Sequence, residues 1–553
     1  MEHLEHKQKV TIMIAIIAAM LFAALNQTIV GTALPRIIAE LGGMEYYSWI
    51  FTIYMLASSV TAILAGKLSD IYGRKPFILL GLGVFIIASL LCGLAETIIQ
   101  LILYRALQGL GGGLIMSTAF TAIGDLFAPR ERGRWQGVMS GVFGLASVFG
   151  PTLGGYIVDN ADWHWIFWIF LPFGIVAFAL IFYMFPSVPR KEGEAVDYFG
   201  SVFLTATLIP MLLAFSWAGS KFAWGSSEIL SLFAISLAAL TIFLLIERKV
   251  KSPVLPLFLF KNSIFTLSNM IGFMIGVGMF GAIMYMPIFV QGVIGTSATA
   301  SGFVMMPMSL SMVLASSVCG QLITKTGKYK TMALFGLFIM IAGLFLMSRM
   351  DSHTTNTIAV LYMIVVGLGL GTAFPIFTLT VQNAVEQRLL GVATASTQLF
   401  RQLGGTVGVS VMGTVMSQRM MDGMQRTAAE GSMGQIADNP ALASKLAALQ
   451  NPQVLMDPAK LEAIQSNIPA SIQPLFDQLV QVLREALSYS LIGVFLSAAI
   501  AVGIGFLLTF FLEEIPLRSA APKTETATSL TAEKMIDEQQ REMDDAHNHN
   551  VLK

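Results

Sequence analysis

The sequence predicts an all-helical integral membrane protein with fourteen transmembrane helices, arranged as two six-helix bundles with two extra helices between them. Three observations carry this expectation. The 553 residues are 55% hydrophobic and only 12% charged, about half the charge of a soluble globular chain. Apolar runs of about the 20 residues needed to cross a bilayer recur along the chain. A nine-residue pattern also occurs twice, 254 residues apart. These features exclude a soluble enzyme and a disordered scaffold. The 33 basic and 33 acidic residues cancel, so no global field recruits nucleic acid. The two cysteines, Cys92 and Cys319, lie in separate apolar runs and read as small buried hydrophobes, not as a disulfide or a metal site.

The fourteen runs lie at about 12–31, 48–67, 77–95, 100–124, 136–158, 164–185, 198–218, 228–246, 264–290, 300–322, 332–348, 358–382, 394–418 and 488–512. The first has no small-residue cleavage site and continues into Asn26-Gln27-Thr28, so it reads as a retained span and not a signal peptide. If the N-terminus is cytoplasmic, that side holds eighteen Lys and Arg in its short segments. The opposite loops hold only Arg36, Lys221 and Arg349. This bias puts both termini inside. The expected organisation is a cytoplasmic segment 1–11, a first bundle 12–185, a linker 186–263 carrying the two extra helices (about 198–218 and 228–246), and a second bundle 264–512. The second bundle includes an extracellular loop, 419–487. Its Asn439-Pro440, Asn451-Pro452 and Asp457-Pro458 steps suggest short helices separated by turns, acting as a cap or spacer. The tail, 513–553, is polar and acidic and reads as disordered.

Gly66-Lys67-Leu68-Ser69-Asp70-Ile71-Tyr72-Gly73-Arg74 follows the second run, and Gly320-Gln321-Leu322-Ile323-Thr324-Lys325-Thr326-Gly327-Lys328 follows the tenth. Both read G-x-L-x-x-x-x-G-[RK]. Glu131-Arg132-Gly133 is echoed by Arg388 to Gly391 at a similar offset. Two matches at similar offsets point to a duplicated unit, the parallel-repeat plan of many secondary transporters. Asp70 and Arg74, four apart, share one face of a helical turn. Arg105 and Gln108-Gly109 fall within the fourth run, and a buried arginine there is costly unless it faces a bundle interior or a water cavity. Asp125 ends that run. Gly150-Pro151-Thr152-Leu153-Gly154-Gly155 sits in the fifth run, where proline interrupts the helical ladder and glycine permits close packing.

Together these strings resemble the major facilitator superfamily. Gly66 to Lys75 is similar to its loop signature between spans two and three. Arg105 to Gly109 is similar to its fourth-span motif, and Gly144 through Gly155 to the fifth-span motif of its antiporters. Asn26 through Pro35, Asp162 through Phe167 and the fourteen spans resemble the EmrB/QacA-type multidrug:proton antiporters, over residues 12 to 512. The resemblance implies a major facilitator fold in a bacterial cytoplasmic membrane and export of amphipathic compounds by alternating access with protons as the coupling ion. It implies that Gly66, Asp70, Gly73, Arg74, Lys75 and Asp125 serve gating, with Asp70, Arg74 and Asp125 forming a charge cluster that locks the outward-open state, and that Gly150, Pro151, Gly154 and Gly155 serve conformational change. It implies that Arg105 works in proton-coupled gating.

One departure matters. The family carries Asp at the position of Asn26, whose amide does not ionise, and no Asp or Glu lies well inside any run. Only Arg105 and Arg401 are charged at depth. Coupling then falls to a peripheral group (Asp125, Asp159 or His164), to a different ion, or is weak or absent; family pattern favours protons. An acid-free cavity bearing arginine attracts neutral or anionic amphiphiles better than cations. Candidate substrate contacts are Asn26, Gln27, Thr28, Tyr54, Arg105, Gln108, Met116, Phe143, Met284, Tyr285, Phe374, Phe377 and Arg401. Each also has a plain structural role open to it: hydrogen bonds between helices for the polar ones, packing for the aromatic and Met residues, and an interfacial belt for Trp163, His164 and Trp165. A permease with uptake or lipid specificity is the alternative on this scaffold, and a non-transporting receptor the weakest. The chain lacks the G-x-x-x-x-G-K-[ST] loop of an ATP-driven pump. No metal or organic cofactor is implied, and a monomer bearing its own cavity is expected in the bilayer.

Overall fold

The computed structural model describes residues 6–126, 129–186, 197–218, 222–250, 253, 255–386, 389–429, 452–456, 458–466 and 473–515. The chain divides into a main body, Met1–Glu513, and a unit Glu514–Lys553; the helices below all belong to the main body. They are α1 (His6–Leu41), α2 (Tyr47–Tyr72), α3 (Arg74–Cys92), α4 (Ile98–Leu126), α5 (Pro129–Asn160), α6 (Leu171–Met184), α7 (Tyr198–Trp217), α8 (Ser227–Glu247), α9 (Ser263–Ile288), α10 (Ala298–Thr326), α11 (Tyr329–Met347), α12 (Asn356–Ala384), α13 (Leu390–Ala429) and α14 (Gln473–Phe510). Each of the fourteen apolar runs falls on one of them. Eleven of the described helices are long and apolar enough to cross a membrane, and Trp49–Ala62 in α2 and Phe199–Phe215 in α7 form shorter apolar stretches. Helices suit hydrocarbon because every internal N–H and C=O is paired within the segment.

Helix starts follow their local chemistry. The Asn262 carboxamide accepts from the backbone N–H of Ile264 (2.9 Å) and Phe265 (3.3 Å) and opens α9. Ser297 accepts from Ala300 N–H at 3.1 Å and opens α10, while Asp197 accepts from Gly200 N–H at 2.7 Å and opens α7. Each satisfies one of the donors that a helix N-terminus leaves unpaired. Large apolar side chains such as Leu103, Phe173, Phe199, Phe335 and Leu507 are exposed around the outside, as lipid contact requires.

The helix pairings repeat. In the first part of the chain α1 packs on α5 and α6, α2 on α4, and α3 on α4 and α6. The equivalent pairs recur later: α9 with α13 and α14, α10 with α12, and α11 with α12 and α14. The nine-residue pattern lies at equivalent places too, ending α2 and α10. Its second glycine takes positive φ in both copies, +92° at Gly73 and +69° at Gly327. A β-carbon is disfavoured in that region, so the spacing of the pattern reflects a turn only glycine makes cheaply. Helices α7 and α8 pack on each other, and α7 also meets α2 and α13. Leu204, Leu208 and Leu212 of α7 and Phe243 of α8 cluster with Leu56, with Leu403 and Val407 against them. The extra pair therefore leans on the seam where α2 meets α13.

The segment 419–487 is less of a loop than its sequence suggests. Helix α13 continues to Ala429, and α14 begins at Gln473. Their extensions hold each other: Arg419 lies over the Tyr489 ring at 4.5 Å and donates to its hydroxyl at 3.3 Å. Between them a turn at Pro452–Met456 precedes a short helix, Pro458–Ser466. Leu455 and Met456 of that turn are buried against α1 and the π-helical turn Phe289–Val293. The rest of this segment and the tail beyond residue 515 lie outside the described residues.

Replacing Gly73 by Ala is expected to cost about 1–3 kcal/mol, because φ +92° with ψ 158° is essentially a glycine-only conformation. Gly327→Ala, in the milder left-handed helical region (φ +69°, ψ −8°), is expected to cost about 1 kcal/mol. Thermal unfolding of the purified variants checks the order; equal midpoints for both and the parent contradict it.

Candidate functional site

Two arrangements bring the singled-out residues together. The first is a buried polar chain joining α1, α3 and α4. Arg105, Gln108, Asn26 and Ser89 are all fully buried. Arg105 donates through Nε to the Ile50 carbonyl (3.3 Å) and through Nη1 to Gln108 Oε1. Gln108 Nε2 donates in turn to Ser89 Oγ (2.7 Å) and to Asn26 Oδ1 (3.4 Å). Asn26 Nδ2 donates to the Phe22 carbonyl one turn back, at 3.2 Å. The Arg105 guanidinium rests 4.3 Å from the centre of the buried Tyr54 ring, while its Nη2 has no hydrogen-bond partner among the described residues. The residue replacing the family acid is thus linked to the motif arginine through one glutamine. The link is made of amides, which exchange hydrogen bonds without titrating. Ser89 is a member that the sequence reading missed; its signal was a hydroxyl inside an otherwise apolar run.

The second arrangement is a seam between α5 and α10, near the end of the molecule at which α1 finishes (the distal end). Residues 147, 151, 155 and 159 lie four apart and form one ridge of α5. Pro151 has no N–H, which frees the carbonyl of Ser147 one turn back; Ser309 Oγ of α10 donates to that carbonyl at 2.8 Å. Thr32 Oγ1 donates to the Pro151 carbonyl at 2.9 Å. At Gly155 an added Cβ would sit 2.7 Å from Thr299 Cα, and at Gly302 one would sit 2.6 Å from Thr152 Cα. The ridge ends at Asp159, whose carboxylate accepts from Ala298 N–H (3.1 Å) and Thr299 N–H (2.7 Å) at the start of α10. A carboxylate there also meets the positive end of the helix dipole. Gly150 and Gly154 face α1 instead: a Cβ at Gly150 would lie 2.8 Å from Thr28 Cβ, and one at Gly154 2.7 Å from Thr32 Oγ1. The Gly-Pro string therefore clamps two neighbours from one helix.

Further bonds close the distal end. Gln291 Nε2 donates to the Thr32 carbonyl at 2.9 Å, and the Tyr47 hydroxyl donates to the Met284 carbonyl at 2.8 Å. Around Gly141 of α5 and Gly320 of α10 nothing lies within 4 Å of an added Cβ. A cavity of about 450 Å³ opens beside Ser316, Ser317, Gly320, Gln321 and Lys325 of α10. Midway, Ser59 of α2 bonds Gln402 of α13.

The other candidates divide by what they touch. Thr28 donates to the Ala146 carbonyl (2.9 Å) and the Tyr285 hydroxyl to the Val409 carbonyl (2.7 Å), so both fasten helices together. Met284 and Phe377 are buried, and Met284 packs beside Gly31. Gln27, Met116, Phe143 and Phe374 are half-buried. Arg401 is also half-buried, with its guanidinium 3.9 Å from the Phe374 ring centre. His164 stacks on Trp163 at 3.7 Å and its ring meets the Asp162 carboxylate. Burial alone would raise the Asp162 pKa, but hydrogen bonds from the His164 ring and backbone N–H and the His164 charge outweigh it, leaving the carboxyl below its ordinary value. Arg74 is buried and donates to Ser69 Oγ at 2.6 Å; Lys75 Nζ lies 5.8 Å from the Phe182 ring centre. The backbones of Gly66, Asp70 and Asp125 belong to α2 and α4, while the side chains of Asp70 and Asp125 lie outside the described residues, and so does the charge cluster expected of them.

Removing the Asp159 carboxylate is expected to loosen the first turn of α10 by about 1 kcal/mol. In Asp159→Ala the amides of Ala298 and Thr299 then exchange hydrogen roughly fivefold faster. Unchanged protection at both amides contradicts the latch.

Residues 16–409 match the Major Facilitator Superfamily. The chain is 39% identical over 519 residues to "Multidrug transporter protein MdtP" of Bacillus subtilis (strain 168), covering 93% of this chain and 94% of that protein. It is 32% identical over 523 residues to "Multidrug resistance protein 3" of the same organism, covering 93% and 97%. Its fold is similar to the crystal structure of a bacterial homologue of the human lysosomal transporter Spinster in an inward-facing, unoccupied conformation, with a TM-score of 0.64 over 94% of this chain and 100% of that one at 16% identity. With these matches added to the repeated helix pairings, the chain belongs to the Major Facilitator Superfamily, a family of multi-pass membrane transporters rather than enzymes.

Proposed function

We propose that the protein is a drug efflux transporter that exports amphipathic drugs or toxic compounds across a bacterial cytoplasmic membrane by alternating access, with protons entering in exchange. One observation carries this reading. Helices α5 and α10 are sealed at the distal end by the Ser309–Ser147 bond, the close approach at Gly155 and the Asp159 carboxylate, and a closed end is half of what rocking about a central site requires. The Lys and Arg bias makes the proximal end cytoplasmic, so the sealed end is the outer one. The names of the two Bacillus subtilis relatives support drug export as the direction. Both helices of the seam come from one chain, so a monomer suffices.

The seam serves as the outer gate, with Pro151, Gly154 and Gly155 setting how closely α5 approaches and Asp159 holding the start of α10. Gly66, Asp70, Gly73, Arg74, Lys75 and Asp125 serve the inner gate at the α2–α3 turn. The polar chain from Asn26 to Arg105 reports the position of α1 to α4. Because that chain ends in an amide, the proton step belongs to a carboxylate at a helix end, Asp125 or Asp159.

The test uses purified protein in liposomes that hold a pH-sensitive dye, with an imposed pH gradient and an added amphiphile. Substrate-dependent proton flux is the expected result. Substrate movement without proton flux contradicts antiport, and absence of both contradicts the efflux reading.

A further inference from the structure

The described residues place the two buried carboxylates, Asp197 and Glu247, at the ends of α7 and α8, away from the helices that carry Arg105 and Arg401. Helices α1, α2, α3, α4, α9, α12 and α13 carry four carboxylates between them, Glu40, Asp70, Asp125 and Asp422. Asp125 is twenty residues from Arg105 along α4, about 30 Å at 1.5 Å per residue, and Asp422 is equally remote from Arg401 along α13. The two arginines remain charged at any physiological pH. Arg105 is fully buried, yet its Nη2 meets no acceptor among the described residues. Arg401 is half-buried with its flat face on Phe374, which leaves the donor edge of the guanidinium clear of that ring. The rings against both cations, Tyr54 and Phe374, supply apolar surface beside each charge.

A buried guanidinium without a counter-ion is costly, and the most effective relief is a charge-assisted hydrogen bond donated to an oxyanion. At the point where a carboxylate would supply that charge from within, the chain has Asn26, which binds Gln108 and contributes no charge. Resting on the efflux reading above, we infer that the substrates are amphipathic organic anions, whose sulfonate or carboxylate group takes the place of the missing internal acid and whose apolar body lies on the aromatic faces. Arg401, the more open cation, meets the anionic group, and Arg105 sets the positive potential of the N-terminal wall. Placing a carboxylate at position 26 reverses this preference, because it neutralises Arg105 from inside and leaves an anion no uncompensated charge there.

The test measures initial rates of transport into inside-out liposomes for two fluorescent probes, 8-anilinonaphthalene-1-sulfonate as the anion and ethidium as the cation. The parent protein is expected to move the sulfonate and leave ethidium at the background of empty liposomes. Arg401→Gln is expected to slow the sulfonate about tenfold, the size of one hydrogen bond to a charged group, while Arg401→Lys keeps most of the rate. Asn26→Asp is expected to raise ethidium transport about tenfold and to depress the sulfonate; a misfolded variant does not produce such a gain. Transport of ethidium and not of the sulfonate by the parent overturns the inference and leaves the efflux reading standing. An Asn26→Asp variant with the parent's probe preference also overturns it. Transport of neither probe by the parent removes the efflux reading and this inference together.

Discussion

The four-residue ridge of α5 is the contact on which the observed state depends. Ser147, Pro151, Gly155 and Asp159 meet α10 over three helical turns. The four positions make three kinds of contact: a Ser147 carbonyl freed by Pro151, a close backbone approach at Gly155, and the Asp159 carboxylate at a helix start. None relies on bulky side chains. In a bilayer the hydrophobic effect does not drive helices together, so association comes from close packing and hydrogen bonds. A seam of small residues and a few short bonds holds well enough to close one end and breaks at modest cost. That suits a gate.

The polar chain around Arg105 has the opposite character. It is buried and ties three helices through side chains. Its members stand within or between the first helices of the chain, away from the α5–α10 seam. Its amides and hydroxyl bond one another and the arginine without bringing a carboxylate to it.

Much of this was legible in the sequence because it rests on periodicity and composition. The apolar runs found the helices, since length and hydropathy decide which segments span hydrocarbon. The second glycines of the repeated pattern marked Gly73 and Gly327, because positive φ leaves glycine a visible advantage. Arg105 and Asn26 stood out as polar groups in apolar surroundings. Less legible were the partners. Ser89 and Ser309 are ordinary hydroxyls until the fold sets them against Gln108 and Ser147. The end of α13 and the start of α14 were read as loop because polar residues such as Arg419, Asp422, Arg484 and Glu485 break the apolar runs. Arg419 in fact bonds Tyr489 across the two helices. Asp159 was marked only as one peripheral acid among several. Its place at the start of α10, 140 residues on, is a tertiary fact with no local signal.

Alternating access is tested most directly by two distances in one sample. Spin labels at the exposed positions 156 of α5 and 303 of α10 report the distal end. Labels at 141 of α5 and 320 of α10 report the proximal end. Distances are read by electron–electron double resonance with and without a transported amphiphile under a pH gradient. Rocking of one half against the other requires inverse changes: the distal pair lengthens in the fraction of molecules in which the proximal pair shortens. Distances that stay fixed, or that lengthen together at both ends, contradict it.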